Sequence, residues 1–186
     1  MCTGNEVEMA SPLERLRGLL GEPEEPWGWP RRQIWEDSEE HLGTALPSDY
    51  KAFMDLYGPG TLGGYLHLDR PTDLLTPDEL AAFWSLDGLR EARAGHEEFS
   101  PFPFHPDPGG LICWGGDEHC NEYYFLPGDA DPGAWEIVVG SEAGEWYRTD
   151  GPFTAFLTRC FDRLDRAPFM DRSWPEAHAR YEPADG

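Results

Sequence analysis

The densest group of chemically capable side chains is Asp117-Glu118-His119-Cys120, preceded by Gly115-Gly116 and followed by Glu122. A histidine, a thiol and carboxylates are zinc-ligand types, and Cys113 and His105 are the further donors such a site would recruit. The spacing argues against it, because neither a CxxC nor an HExxH pattern is present. Successive residues of an extended chain point to opposite faces, so His119 and Cys120 are badly placed either to share an ion or to act as base and nucleophile. The simpler reading is an acidic hairpin turn with one buried cysteine, with no metal, no cofactor and no catalytic residue. Glu36 and Glu40 lie one helical turn apart and have the types for acid–base work or for clasping a cation, but such pairs are ordinarily a solvated helix face. Trp114, Trp135 and Trp146 have the chemistry of an aromatic platform. Most of the 8 tryptophans belong in a core, and one left at the surface among carboxylates has the anatomy of a binding hot spot.

The elements that position these groups follow from periodicity. Ser11-Pro12-Leu13-Glu14 is a capping box opening a helix with Leu13, Leu16 and Leu20 on one face, ended by Gly21 and Pro23. Residues 22 to 30 are too rich in proline for regular structure and form an anchored loop whose Trp27 and Trp29 need cover. A second helix spans Arg31 to Leu42. A third follows Pro47, with Tyr50, Phe53, Met54 and Tyr57 as its apolar stripe and Gly58-Pro59-Gly60 as its stop. Gly64 to Leu68 alternates as a strand, and Thr76-Pro77-Asp78-Glu79 caps a helix that buries Leu80, Phe83 and Trp84. After an irregular connection at 100 to 110, four short strands are expected at 111–114, 121–126, 135–139 and 145–148, most simply as an antiparallel meander. A last helix carries Phe153, Phe156, Leu157, Cys160, Phe161 and Leu164 onto that sheet. The expected fold is therefore α+β: an antiparallel sheet of about four to six strands with helices packed on one side. Residues 1–10 read as a flexible tail, 11–167 as one domain and 168–186 as an acidic C-terminal tail.

Charge narrows the function. With 36 acidic and 14 basic side chains among 186 residues, the net charge is −22, and Lys51 is the only lysine. Tracking a phosphate backbone needs clustered cations, so direct nucleic-acid binding is excluded as a leading reading, and lysine-based covalent chemistry has a single donor. The N-terminal residues lack the charge and apolar blocks of a signal peptide, and no apolar run approaches the length that spans a bilayer. The expectation is a cytoplasmic protein with reduced cysteines and no membrane contact.

The run Leu42-Gly43-Thr44-Ala45-Leu46-Pro47-Ser48-Asp49-Tyr50-Lys51, continuing to Leu56-Tyr57-Gly58-Pro59-Gly60, resembles the opening signature of the SMI1/KNR4 (SUKH) superfamily. Gly110 to Gly115, Tyr124-Phe125 and Trp135 to Val139 are similar to that family's strand ladder, and Phe153 to Leu157 to its closing helix. The resemblance covers about residues 34–165, of the bacterial type. It implies a non-enzymatic binding domain. Bacterial members are often immunity proteins that neutralise a cognate toxin, frequently a nuclease, and eukaryotic relatives serve as adaptor or regulatory modules.

A strongly acidic protein can cover the basic face of such a toxin and be steered to it. The expected partner is thus a basic protein, a cognate toxin domain, bound through the acidic loops beside the strands: Asp117, Glu118 and Glu122 in one hairpin, Glu142, Glu145 and Asp150 near the last, with Trp146 as anchor. The alternative is an adaptor or regulatory module binding host proteins or a small ligand without a toxin. Oligomeric state is not legible in the residues.

Overall fold

The computed structural model describes residues 10–23, 32–69, 71, 75–94, 100–128, 131–176 and 180–184. The expected N-terminal tail (apart from residue 10) and the expected loop over 22–30 (apart from residues 22 and 23) lie outside these residues. The first helix forms as its capping box dictates: α1 (Pro12–Leu20) has the Ser11 hydroxyl accepting from the Glu14 N–H while the Glu14 carboxylate accepts from the Ser11 N–H. It is followed by α2 (Arg32–Leu42) and α3 (Ser48–Tyr57). All four stripe residues of α3 are buried.

Strands β1 (Gly60–Leu62) and β2 (Leu66–Leu68) form a hairpin, and α4 (Pro77–Trp84) and α5 (Asp87–Ala94) follow. The meander is β3 (Ile112–Asp117), β4 (Glu122–Leu126), β5 (Glu136–Gly140) and β6 (Trp146–Thr149), closed by α6 (Phe153–Phe161). A last strand, β7 (Tyr181–Pro183), returns to the far edge, giving an antiparallel sheet of order β6-β5-β4-β3-β2-β1-β7.

Alternation divides the sheet into two faces. Leu62, Leu66, Leu68, Ile112, Trp114, Tyr123, Phe125, Ile137 and Val139 point to one, where they meet α3, α6 and Leu16 of α1. Trp114 is the centre of this core, edge-on to Phe153 at 5.0 Å and tilted against Tyr123 at 5.2 Å. The opposite face carries a smaller cluster, Phe104, Leu111, Tyr124 and Val138, covered by the 100–111 connection and by Leu89 of α5. The fold is thus α+β with most helices on one side, and with seven strands where four to six were expected.

Two details of the expectation change. Leu164 is 77% exposed, because α6 ends at Phe161 and Arg163 takes a left-handed backbone conformation (φ 57°) that turns the chain away. The C-terminal segment is not a tail through 168–186: Met170 and Trp174 are buried in the main core, the Trp174 indole N–H donates to the Leu62 carbonyl, and β7 pairs with β1. Its acidic composition concealed a few apolar anchors, which suffice for docking once a sheet edge is available.

Asp165 ties the end of α6 to β6. Its carboxylate accepts from Tyr147 Oη at 2.6 Å, Thr149 Oγ1 at 2.5 Å and Arg159 Nε at 2.8 Å. Burial by itself would raise its pKa, but the hydrogen bonds from Thr149, Tyr147 and Arg159 hold it below the ordinary carboxylate value. A depressed folded-state pKa contributes stability above the unfolded-state value that is lost as pH falls through the folded one. Asp165→Asn is therefore expected to cost about 1–3 kcal/mol near neutrality. Urea titrations should show that gap narrowing once the pH drops below about 4.

Candidate functional site

The residues expected to form an acidic contact surface do not stay together. β3 and β4 are joined by the three-residue loop Glu118-His119-Cys120, in which the Asp117 N–H donates to the Asn121 carbonyl and Cys120 is left-handed (φ 58°). Upstream, a β-bulge between Cys113 and Gly115 shifts the register of β3 by one residue. That shift moves Asp117 from the face that strict alternation from Trp114 would give it to the core face, opposite Leu66. Gly115 permits the close approach of β2, since a Cβ there would lie 2.3 Å from the His67 carbonyl oxygen.

Asp117 is consequently 7% exposed and acts as an acceptor hub. It takes hydrogen bonds from Tyr65 Oη at 2.7 Å, Tyr123 Oη at 2.8 Å, the Asn121 amide and the backbone N–H groups of His119 and Asn121. The Tyr65 oxygen in turn accepts from the Asp171 N–H, and burial raises the pKa of both tyrosines. Asp117 is removed from the contact surface: its carboxylate holds the hairpin and the C-terminal segment together.

The neighbouring residues separate. Glu118 is exposed and meets His67 Nε2 at 2.7 Å, while the His119 ring stands edge-on to Tyr65 at 5.5 Å. Cys120 is exposed, not the buried thiol expected of this turn, and lies on the other side beside Glu122. His105 stands beside His41, ring centroids 6.4 Å apart. Among the described residues no group of three or more His, Cys, Asp or Glu side chains is arranged to hold a metal ion. Burial pushes the Cys113 thiol up to about 12 and also raises that of Cys160, the opposite of what activates a nucleophile. Lys51 is paired with Glu39. Glu40 faces a groove of about 430 Å³ between α2 and α4 together with Asp37, a lining that does not include Glu36.

Glu122, Glu142 and Trp146 do come together. β5 and β6 are joined by Glu142-Ala143-Gly144, a loop of the same kind with Gly144 left-handed (φ 81°). The register then sets Glu122, Gly140 and Trp146 side by side in one cross-strand row. Glu122, Glu142 and Glu145 are exposed, and among the described residues none is within ion-pair distance of a cation. Glu122 accepts from Tyr124 Oη, which fixes its direction. Trp146 is half-buried, tilted against Tyr124 at 6.1 Å and edge-on to Phe102 at 5.7 Å. Glu122, Glu142, Tyr124 and Trp146 line a cleft of about 330 Å³, and Glu145 is not part of its lining. Asp150 is exposed but stands at the other end of β6, about 13 Å along the strand, where its carbonyl accepts from Arg159. Trp114 and Trp135 are core residues.

Sequence reading missed the cleft's apolar floor, Leu89, Phe104 and Tyr124, and the residue that seats Trp146. A Cβ on Gly140 would sit 2.7 Å from the indole Cζ3, so only glycine lets the ring lie across the sheet. The signal was present: a glycine directly opposite a tryptophan across a short hairpin. Gly140→Ala is expected to lift the indole, cost about 1–3 kcal/mol and shift the Trp146 indole N–H resonance, while other tryptophan resonances stay in place.

No helix among the described residues is long and apolar enough to cross a membrane. The model of the SMI1 / KNR4 family (SUKH-1) matches residues 31–159. No curated protein and no solved structure matches the chain. Helix α1 and strand β7 fall outside the matched span, yet one packs on α6 and the other extends the sheet. The match covers well over half of the chain and follows the order of helix, hairpin, meander and closing helix described above, so this protein belongs to the SMI1/KNR4 (SUKH-1) family.

Proposed function

We propose that the protein is a non-enzymatic binder that captures a basic protein stoichiometrically, acting as an immunity protein toward a cognate toxin domain, with a nuclease as the fitting class. The observation that carries this reading is the cleft that sets Glu122 and Glu142 beside half-buried Trp146, with neither carboxylate ion-paired to a cation among the described residues. An anchor aromatic rimmed by exposed carboxylates suits a basic, partly apolar partner surface. The net charge of −22 adds long-range attraction for the same class of partner. Family membership supports a binding role in a coarser way.

The test is affinity capture of the tagged protein from its native lysate, with washes at low and high salt, followed by co-expression of any captured basic protein in a sensitive host. Near-stoichiometric capture that weakens with salt, together with relief of the captured protein's toxicity, supports the immunity reading. The rival reading, an adaptor or regulatory module, draws on the groove between α2 and α4, where Ile34, Leu75 and Leu80 offer an apolar wall. Salt-resistant capture of non-toxic proteins would replace the first reading by this one.

A further inference from the structure

We infer that Arg163 is a hinge and that the C-terminal segment beyond it docks in two ways: on its own chain, or in the equivalent groove of a second copy, giving a strap-exchanged dimer. The sequence carries α6 further than the structure does. Leu164 lies one turn beyond Cys160 and Phe161 on the apolar stripe begun by Phe153, and no glycine or proline interrupts residues 162–167 before Pro168. The helix nevertheless stops at Phe161 in a Schellman turn, where the Arg163 N–H donates to the Cys160 carbonyl and the Leu164 N–H to the Arg159 carbonyl. The left-handed position of such a turn usually holds glycine, and here it holds arginine at φ 57°. Two unfavourable features thus meet at this bend: a strained non-glycine backbone, and Leu164 left 77% exposed. Continuing the helix through Arg163 removes the strain and returns Leu164 to the stripe.

What holds the bend closed is the strap itself. Met170 and Trp174 are buried, and the Trp174 ring lies 5.3 Å from Tyr65 and 6.4 Å from Phe161. Its indole N–H donates to the Leu62 carbonyl, the Asp171 N–H donates to Tyr65 Oη, and β7 pairs with β1. The partners named here, Leu62, Tyr65, Phe161 and β1, all precede the hinge, so they form a groove on the body of the domain that the strap fills. Releasing the strap into water forfeits these contacts and exposes two large apolar side chains, which disfavours an open monomer. A second open copy offers the same groove with the same partners. Exchange therefore restores each contact in trans, the Asp165 carboxylate moving with the strap, while the strain at Arg163 is gone. Charge opposes the pairing, because two chains of −22 repel, and salt screens that repulsion.

The test compares the full chain with two hinge variants. Arg163→Gly and Arg163→Ala both lose the side-chain bonds to the carbonyls of Arg172, Ser173 and Pro175, so the difference between them isolates the backbone at the hinge. Glycine accepts the left-handed bend, whereas alanine resists it and favours helix. Each protein is held at millimolar concentration in urea at the foot of its unfolding transition and returned to buffer at low or high salt. Monomer and dimer are then separated by size-exclusion chromatography with light scattering. Arg163→Ala should give a dimer fraction at least about fivefold above that of Arg163→Gly, and both wild type and Arg163→Ala should give more dimer at high salt. In the isolated dimer the Trp174 indole N–H resonance, identified by its loss in Trp174→Phe, should keep its monomer position, because the same groove holds it. The dimer should also survive dilution until the urea treatment is repeated, since reversal requires the strap to leave. Absence of dimer in all three proteins, a dimer fraction no greater in Arg163→Ala than in Arg163→Gly, a displaced Trp174 resonance, or dissociation on dilution alone overturns the proposal.

Discussion

Replacing Asp117 by alanine is expected to cost about 3–5 kcal/mol, because it strands several buried donors at once. The hydroxyls of Tyr65 and Tyr123 and the Asn121 amide all lose their acceptor. At this chain length the loss corresponds to a fall in Tm on the order of 10 °C, readable by calorimetry or urea titration. Glu118→Ala, one residue along, removes an exposed carboxylate paired with His67 and should stay within about 0.5 kcal/mol. The contrast is informative because the two residues have the same charge and differ only in which way the chain presents them. The damage should also spread. Tyr65 receives the Asp171 N–H, so the segment carrying Met170 and Trp174 should become the first site of limited proteolysis in Asp117→Ala. An Asp117→Ala protein as stable as wild type would show that the hub is dispensable.

Reversing the charge of the cleft and of the neighbouring Glu145 should have the largest effect on association. Glu122→Lys, Glu142→Lys and Glu145→Lys together change the net charge from −22 to −16 and place cations on the surface proposed to receive a basic partner. Electrostatic steering of this kind is worth roughly 10- to 1000-fold in association rate at low ionic strength. The deficit should shrink as salt shortens the screening length from about 10 Å at 0.1 M to about 3 Å at 1 M. Stability should change little at Glu142 and Glu145, which are exposed and not ion-paired among the described residues, whereas Glu122→Lys also takes the acceptor from Tyr124 Oη. Reversing Glu36, Asp78 and Glu91 changes the net charge by the same amount on exposed helical positions elsewhere. Stopped-flow rates for the two triple variants against the captured partner separate a local contact from a general field. Equal slowing by both would remove the cleft from the proposal and leave only bulk charge.

The division between what was legible and what was not runs through single residues. Local rules sufficed where each residue's neighbours in sequence are also its neighbours in space. The capping boxes at Ser11 and Thr76, the stripe from Tyr50 to Tyr57 and the short apolar runs at 121–126 and 135–139 all fall in this class, and the helices and strands appear where those patterns put them. The signature around Leu46-Pro47 and the strand ladder were enough for the family.

What local rules could not supply was the sign of a face after an irregularity. One inserted residue between Cys113 and Gly115 turned Asp117 from an expected surface acid into a buried hub, because side-chain direction in a strand reverses with every residue. Likewise β7 is only three residues long and too short to carry a period of its own, so its existence depends on β1, a pairing partner far away in the chain. The sequence by itself determined the elements, the charge and the family. Only the tertiary structure decided which of the acidic residues share a surface: register across β4, β5 and β6 brings Glu122, Gly140 and Trp146 into one row and leaves Asp150 at the opposite end of the strand, and register is a property of paired strands rather than of any one segment.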